Sequence, residues 1–339
     1  MRKKLVYILL YFVIGFIVSF GFTSCKKDKL DSEDLIGNWI QKSDFEGVPR
    51  SEAVAFCIGN KGYLATGYDG EDRLNDLWQY DPDKDFWVQK ASLPGKARSG
   101  AIGFGTDSKG YIGTGYDGNE KLSDFWEYDP VSNTWVQKAN FAGTPRYAAI
   151  GLAINNLGYV GTGYDGSVLK DFWQYNPQTD QWIQKVSVGG SKRRDALAFA
   201  INGKVYIAAG VNNGEYVDDF WEYDPISDIW LKLRDISDAS DDDFDDEYKI
   251  TRTNAVAFTI NDKAYIATAG EGTVGNDVWE YDPLYDLWEE KASFEGSARI
   301  ESAAFSINNQ GYIITGRNSS YYFDDMWTFK PDDENDEND

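Results

Sequence analysis

Tryptophan recurs along this chain at a regular interval, and this interval constrains the fold more than any other feature. Six tryptophans follow one another at about one repeat length: Trp78, Trp126, Trp173, Trp221, Trp279 and Trp327. Five of them have a second tryptophan nine residues later: Trp87, Trp135, Trp182, Trp230 and Trp288. Trp327 has no such follower, whereas the unpaired Trp39 lies 48 residues, or one repeat, before Trp87. The spacing predicts six units, the last of which is completed by the N-terminal segment.

Each unit has the pattern of four short β-strands, named a, b, c and d in chain order. An arginine opens the unit, and an alternation such as Ala101-Ile102-Gly103-Phe104 predicts a half-buried strand a. A Gly-Tyr segment predicts strand b, an Asp-x-Trp-x-Tyr segment predicts strand c, and the second tryptophan begins strand d. A proline follows strand c in each unit, where no ladder N–H is needed. The pattern predicts an all-β protein with four antiparallel strands per unit.

Four-stranded units that repeat about every 50 residues are typical of β-propeller blades. The opening Arg, the Gly-Tyr of strand b and the Trp-x-Tyr-Asp-Pro…Trp of strands c and d resemble kelch repeats over residues 37–331. This resemblance implies a six-bladed kelch-type β-propeller of the galactose oxidase-like superfamily. Strand d of the last blade is then Asn38-Trp39-Ile40-Gln41-Lys42, an N-terminal strand that closes the ring and removes its open edges.

The N-terminal segment has the features of an export signal. Arg2-Lys3-Lys4 precedes an apolar run that ends before Thr23-Ser24-Cys25, so residues 1–24 resemble a bacterial lipoprotein signal peptide. The resemblance implies lipidation of Cys25 and a location in the cell envelope, with the protein held to the outer membrane by its lipid anchor. An uncleaved transmembrane anchor is the alternative, since the apolar run is just long enough to span a bilayer. Residues 25–36 are predicted to form a flexible charged tether, and residues 332–339 a disordered acidic tail.

Composition excludes several kinds of chemistry. The chain has no histidine, which rules out Ser-His-Asp and Cys-His catalysis and the two-histidine copper site of galactose oxidase. We expect no cofactor and no metal site, and Cys57 is predicted to be a buried small residue of strand a. The formal charge of −23 argues against nucleic acid as a partner.

Antiparallel strand order places the d–a and b–c loops on one face of the disc, and the resemblance to kelch propellers implies that ligands bind there. The candidate ligand-binding residues on this face are the opening arginines, polar residues two positions further on, and tyrosines of three b–c loops: Arg50, Arg98, Arg146, Arg193, Arg252, Arg299, Glu52, Asp195, Asn254, Glu301, Tyr68, Tyr116 and Tyr164. Structural roles are the alternative. Each unit also has an aspartate two residues before its first tryptophan, and these arginines and aspartates could form structural ion pairs that tie blades together; Tyr-Asp-Gly is likewise typical of turns.

One insertion interrupts the period on the same face. Trp230 and Trp288 are 58 residues apart, and the additional residues lie within the acidic segment 237–247. Its carboxylates could bind Ca²⁺, but it lacks the glycine and the ligand spacing of a calcium loop. We predict a solvated acidic flap beside the ligand face.

Two functions are compatible with this sequence. The first is a non-catalytic, membrane-anchored extracytoplasmic propeller that binds a glycan or an envelope protein through its d–a/b–c face. The alternative is a sugar isomerase of the sialic acid mutarotase or epimerase type, which needs an Arg and a carboxylate but neither histidine nor metal. Its catalytic pairs would be Arg193 with Asp195, or Arg299 with Glu301. A purely structural scaffold is a third interpretation.

Overall fold

The structure, a computed structural model, describes residues 35–237 and 250–336, and within these ranges the chain forms only strands and loops. The predicted signal peptide, Cys25 and most of the tether lie outside the described residues. So do all of the acidic insertion except Ser237, and residues 337–339 of the tail. No helix long and apolar enough to cross a membrane is found in the part of the chain that the structure describes.

Six four-stranded antiparallel sheets form the blades. The N-terminal strand β1 (Asn38–Lys42) precedes them. The strands of the first three blades are β2 (Val54–Ile58), β3 (Lys61–Ala65), β4 (Leu77–Asp81) and β5 (Phe86–Lys90); β6 (Ile102–Gly105), β7 (Gly110–Gly113), β8 (Phe125–Asp129) and β9 (Thr134–Lys138); and β10 (Ile150–Ile154), β11 (Leu157–Gly161), β12 (Phe172–Asn176) and β13 (Gln181–Lys185).

The remaining blades repeat this order. Their strands are β14 (Leu197–Ile201), β15 (Lys204–Ala208), β18 (Trp221–Asp224) and β19 (Ile229–Lys232); β20 (Val256–Ile260), β21 (Lys263–Ala267), β22 (Val278–Asp282) and β23 (Leu287–Lys291); and β24 (Ala303–Ile307), β25 (Gln310–Ile314) and β26 (Met326–Lys330). The b–c loop of blade four adds a small hairpin, β16 (Val211–Asn212) and β17 (Glu215–Tyr216). The predicted six-bladed all-β propeller is therefore confirmed.

The innermost strands show why this sequence forms blades. In β2 the large residues Val54, Phe56 and Ile58 are buried, while the intervening Ala55 and Cys57 are half-buried. This period of two places the large side chains in the cores between blades and leaves only small residues for the crowded inner side. Gly105 of β6 is the extreme case, because a Cβ atom there would lie 1.6 Å from the carbonyl oxygen of Cys57.

The ring closes as the tryptophan spacing predicts. Strand β1 pairs with β26 in blade six, with Trp39 opposite Phe329. The indole N–H of Trp39 in blade six donates to the carbonyl of Ala292, which follows blade five, as Trp135 in blade two donates to Ala91, which follows blade one. The N-terminal tryptophan thus takes the place of the second tryptophan of a blade.

Side chains of the c–d turns fasten neighbouring blades at five of the six junctions, whereas between blades five and six the Ala292 N–H donates to the Ile36 carbonyl. Tyr80 donates its hydroxyl proton to Asp85, and the same carboxylate accepts the backbone N–H of Ser43, which directly follows the closing strand. The equivalent backbone donors and turn acceptors at four further junctions are Ala91 and Asn133, Ala139 and Asp180, Val186 and Asp228, and Arg234 and Asp286. Since Ser43 occupies an equivalent position, the junction between blades six and one is built like these four.

Candidate functional site

Backbone bridges bring the d–a and b–c loops together on one face, as expected from the strand order. In five of the six blades, the residue after the opening arginine bridges the first residue of the b–c loop in the same blade, as in Ser51 with Tyr68 and Arg194 with Val211. All the sequence candidates except Cys25 therefore lie on or directly beneath this face, which we call the loop face.

The six opening arginines are buried in ion pairs. Each is at most 1% exposed and bonds an aspartate at the start of strand c in its own blade: Arg50–Asp76, Arg98–Asp124, Arg146–Asp171, Arg193–Asp219, Arg252–Asp277 and Arg299–Asp325. In blade two, the two Nη atoms of Arg98 lie 2.7 and 2.6 Å from the two oxygens of Asp124. Burial alone would raise the pKa of Asp124, but the hydrogen bond and charge of Arg98 hold this pKa below its ordinary value.

These ion pairs join strands a and c within one blade rather than neighbouring blades. Neighbouring blades are joined instead by the carbonyl of each arginine, which accepts an N–H from the end of strand b in the preceding blade. Examples are Gly67 to Arg98 and, across the closure, Gly316 to Arg50. The structure thus gives the arginines a role in holding the loop face together.

Above the arginines, six residues form a ring around the axis. They occupy the position two residues after each arginine and all have left-handed backbone conformation, with φ from 52° to 61°: Glu52, Gly100, Ala148, Asp195, Asn254 and Glu301. Only glycine adopts this conformation without cost, so five of these positions store backbone strain. We call this set the axial ring.

Backbone hydrogen bonds link successive members of the axial ring. Glu52 donates to Glu301, Gly100 to Glu52, Ala148 to Gly100, Asp195 to Ala148, and Glu301 to Asn254, at 2.8–3.1 Å. Between blades four and five the contact is different: the Thr253 hydroxyl lies 3.5 Å from the Asp195 carbonyl. The acidic insertion joins these two blades, so the axial ring is loosest where the chain departs from the repeat.

Three carboxylates of the axial ring form the chemical centre of the loop face. Burial raises the pKa of Glu52, and the nearby charge of Glu301 adds to this effect. The pKa of Asp195 is raised to about 6, mainly by burial and further by the charges of Glu52 and Glu301, although Arg194 opposes the shift. The three acids are therefore close enough to interact electrostatically.

Two arginines that do not belong to the buried set pair with these acids. Arg194 Nη1 lies 2.5 Å from Asp195, and Arg317 bonds both oxygens of Glu301, at 2.7 and 2.9 Å. Their side chains are 40% and 32% exposed, so both guanidinium groups remain accessible to a ligand.

Tyrosines border this centre on the side of blades six, one, two and three. The Tyr147 ring packs against Tyr116 and Tyr164, with both centroid separations 5.6 Å, and Tyr68 contacts Tyr322 edge-on at 6.3 Å. All five rings are half-buried, so they present part of their surface to the loop face. Such surfaces suit stacking on the apolar side of a sugar.

A cavity of about 590 Å³ opens on the opposite side of the centre, between blades five and six. Its lining includes Asn254 of the axial ring, Arg317 and the loop residues Thr273, Asn318 and Ser319. A small ligand with both polar groups and an apolar face would fit this volume, because the lining combines polar side chains with a larger apolar surface. A second cavity, of about 370 Å³, lies on the other side of the disc and is lined by Cys57, Gly105 and Asn156.

The structure changes the pairing expected for an isomerase. The expected pairs were Arg193 with Asp195 and Arg299 with Glu301. This pairing is wrong, because each of these arginines forms its ion pair with a strand c aspartate: Arg193 with Asp219, and Arg299 with Asp325. The carboxylates pair instead with Arg194 and Arg317. The left-handed turn at Asp195 and Glu301 separates each from the arginine two residues earlier.

Sequence reasoning also missed Arg194 and Tyr147, which directly follow opening arginines. The residue at that position differs in nearly every blade: Ser51, Ser99, Tyr147, Arg194, Thr253 and Ile300. This variation between blades could have identified the position as a candidate for ligand binding. Within residues 35–237 and 250–336, no group of histidine, cysteine and carboxylate side chains could hold a metal ion.

Comparison with known proteins supports the fold. Three stretches of the chain match the Kelch motif, at residues 49–94, 115–141 and 192–236. Among solved structures, the one described as "Structure of YjhT" is similar with a TM-score of 0.71 and 17% identity, over 84% of this chain and 95% of that chain. No curated protein matches the sequence. The chain is thus a six-bladed β-propeller in which three stretches match the Kelch motif.

Proposed function

We propose that the loop face binds a carbohydrate over the axial ring. The observation that carries this proposal is the combination, around one axis, of half-buried acids, accessible arginines and tyrosine rings beside a cavity of about 590 Å³ that is lined by both polar and apolar groups. Sugars need both hydrogen-bonding groups for their hydroxyls and flat apolar surfaces for their ring faces. The Arg317–Glu301 pair would bind hydroxyls at the cavity, while the tyrosines would pack against the sugar.

Saturation-transfer difference NMR with a panel of neutral, acidic and N-acetylated monosaccharides tests this proposal. We expect transfer to at least one sugar, and a roughly tenfold loss of its affinity on Arg317→Gln, because one hydrogen bond from a charged group contributes about 1.5–3 kcal/mol. Lys84→Gln, a change in the c–d turn of blade one, is the matched control and should leave affinity unchanged. A panel without any transfer, together with capture of an envelope protein on the same face, would instead favour the protein-binding alternative.

A second function, sugar isomerisation, is favoured by one specific observation. Asp195 has a pKa of about 6 and lies beside Arg194, so it could accept and return a proton near neutral pH. Here Asp195 would move the proton and Arg194 would stabilise the developing negative charge. NMR of anomer interconversion of N-acetylneuraminate distinguishes the functions: acceleration lost in Asp195→Asn supports the isomerase, and an unaccelerated rate supports binding alone.

The location of the protein is a further part of the proposal. Strand β1 is a strand d, so its N-terminal end lies at the c–d end of blade six. A lipid anchor on Cys25 would therefore join the disc on the side opposite the loop face, leaving that face free for ligand in the envelope. Metabolic labelling with an alkynyl fatty acid should modify the wild-type protein and not Cys25→Ser. Equal labelling of both would contradict lipidation at Cys25.

A further inference from the structure

A third accessible arginine on the loop face differs from all those described above. Arg73 lies in the b–c loop of blade one, where its backbone bridges Tyr68. Its guanidinium carbon is 5.2 Å from the ring centroid of Tyr68 and 4.8 Å from that of Tyr116 in blade two. Arg73 therefore connects the b–c loops of two neighbouring blades through their tyrosine rings.

The two rings are held in place independently of the arginine. The Tyr68 hydroxyl donates to the Gly70 carbonyl and the Tyr116 hydroxyl to the Gly118 carbonyl, each at 2.7 Å. Because two fixed rings pack against one guanidinium, its N–H edge is the part that a ligand can reach. The position of that edge is thus set before any ligand arrives.

No nitrogen of the Arg73 side chain forms a hydrogen bond or ion pair with any described residue, and its Nε is buried. The strand a arginines, Arg194 and Arg317 each have a carboxylate partner instead. The buried Nε carries a desolvation cost without a partner, whereas the Nη atoms are not buried and are the part of the guanidinium that an anionic ligand can reach.

The surroundings of Arg73 are consistent with an anion. The next cation along the rim, Lys121, lies over the Tyr164 ring at 5.6 Å and likewise forms no ion pair among the described residues. Gly118 leaves room for the guanidinium, since a Cβ atom there would lie 2.9 Å from Arg73 Nη1. The Arg73 charge also acts on the axial ring, where it lowers the pKa of Glu52 in part.

We propose that Arg73, held between Tyr68 and Tyr116, forms an oxoanion-binding subsite at the rim of the loop face. The edge of a guanidinium carries parallel N–H groups that match a carboxylate, sulfate or phosphate in two-point hydrogen bonding. Its ligand is the anionic group of a larger molecule, and the adjoining tyrosine surfaces favour an acidic or esterified sugar as that molecule.

The test uses inorganic anions first, so that its outcome does not depend on which sugar the axial ring binds. The Nε–H resonance of Arg73 is assigned by its absence from the spectrum of Arg73→Gln. It is then followed by ¹H–¹⁵N NMR while sodium sulfate or sodium phosphate is added at constant ionic strength. In the wild type we expect the Nε–H resonance to shift in a saturable way as the anion is added. Arg73→Gln lacks this resonance, so anion binding to it is followed through neighbouring backbone resonances, and its affinity for the anion should be at least tenfold weaker. Lys84→Gln, which removes a cation packed on Phe86 in a c–d turn, is the matched control.

Two further arms identify the source of the anion and guard against misfolding. Glucuronate and glucose 6-phosphate are compared with glucose, and tighter binding of one charged sugar identifies its group as the natural one. Gly118→Ala keeps every charge but displaces the guanidinium, so it should weaken sulfate binding while the spectrum remains that of a folded protein. Equal sulfate and phosphate affinity in wild type, Arg73→Gln and Gly118→Ala would overturn the proposal. That result would leave the axial-ring proposal standing.

Discussion

The indole N–H of Trp39 donates to the carbonyl oxygen of Ala292 at 3.4 Å, although the two residues are 253 positions apart. Trp39 is fully buried and packs against Phe294 and Phe329, with centroid separations of 4.9 and 4.6 Å. This contact joins the N-terminal strand to blades five and six, so the stability of the whole ring depends on it.

We predict that Trp39→Ala lowers the free energy of unfolding by about 3–5 kcal/mol, the usual range for loss of a buried tryptophan. Deleting residues up to Lys42 should destabilise the ring further, because β26 then becomes an open edge. Chemical denaturation measures both effects, with Trp135→Ala, the half-buried equivalent in a continuous blade, as the smaller-effect control. Wild-type stability in the truncated protein would contradict closure by β1.

The buried ion pairs of the loop face should contribute far more to the free energy of unfolding than its exposed ion pairs do. Asp124→Asn leaves the Arg98 guanidinium buried without its charge partner, so we expect a loss of about 3 kcal/mol. Lys96→Gln in the same blade removes an exposed lysine that pairs with Asp117 and Glu120, and the unfolding midpoint should hardly change. Equal midpoints for both variants in urea would show that the Arg–Asp pairs are dispensable.

Asp195 should make stability fall as pH rises from about 4 to 6. Its folded pKa of about 6 exceeds its ordinary value of 3.8, so the folded protein binds the proton more tightly than the unfolded chain does. The stabilisation by the proton is complete only below the unfolded pKa of 3.8 and is lost as pH rises through the folded pKa of about 6, and it amounts to at most about 3 kcal/mol at 1.4 kcal/mol per pKa unit.

The measurement is the difference in unfolding free energy between wild type and Asp195→Asn at pH 4.5 to 7. The variant cannot titrate at this position, so wild type should lose stability relative to it as pH rises. Glu52, Glu301 and Arg194 remain in both proteins, so the difference reports the titration of Asp195 together with its electrostatic coupling to these groups. A difference that does not vary with pH would refute the burial of this carboxyl.

Cys57 should resist thiol reagents in the folded protein. Burial raises the pKa of its thiol to about 12, and Sγ donates to the Ser306 carbonyl at 3.1 Å. Since the thiolate is the reactive form, alkylation by iodoacetamide at pH 8 should be slow until urea unfolds the chain. Cys25→Ser provides a protein with this single thiol, and equally rapid labelling with and without urea would be the contrary result.

The fold could be predicted because each blade repeats the same signal. Twelve tryptophans at fixed spacing define the blades, and the unpaired Trp39 identifies Asn38–Lys42 as the closing strand, with the bounds that the structure shows. The carboxylates of the axial ring were also found, since they occupy equivalent positions in successive blades.

The partners of those carboxylates could not be predicted in the same way. Asp195 pairs with Arg194 rather than Arg193 because Asp195 adopts a left-handed conformation, and a period-two pattern assumes an extended one. Arg317 meets Glu301 from a b–c loop, and Arg73 meets Tyr116 from a neighbouring blade. Such contacts depend on loop geometry, which the spacing of strands does not specify.

The central claim, that a sugar occupies the cavity beside the axial ring, is tested most directly by filling that cavity. Thr273 lines it from an exposed loop, so Thr273→Trp should block the site without disturbing the blades. Thr179→Trp places the same ring on a c–d turn of the opposite face. Affinity for the tightest-binding sugar of the NMR panel should fall at least tenfold in Thr273→Trp and remain unchanged in Thr179→Trp. Wild-type affinity in Thr273→Trp would contradict the account.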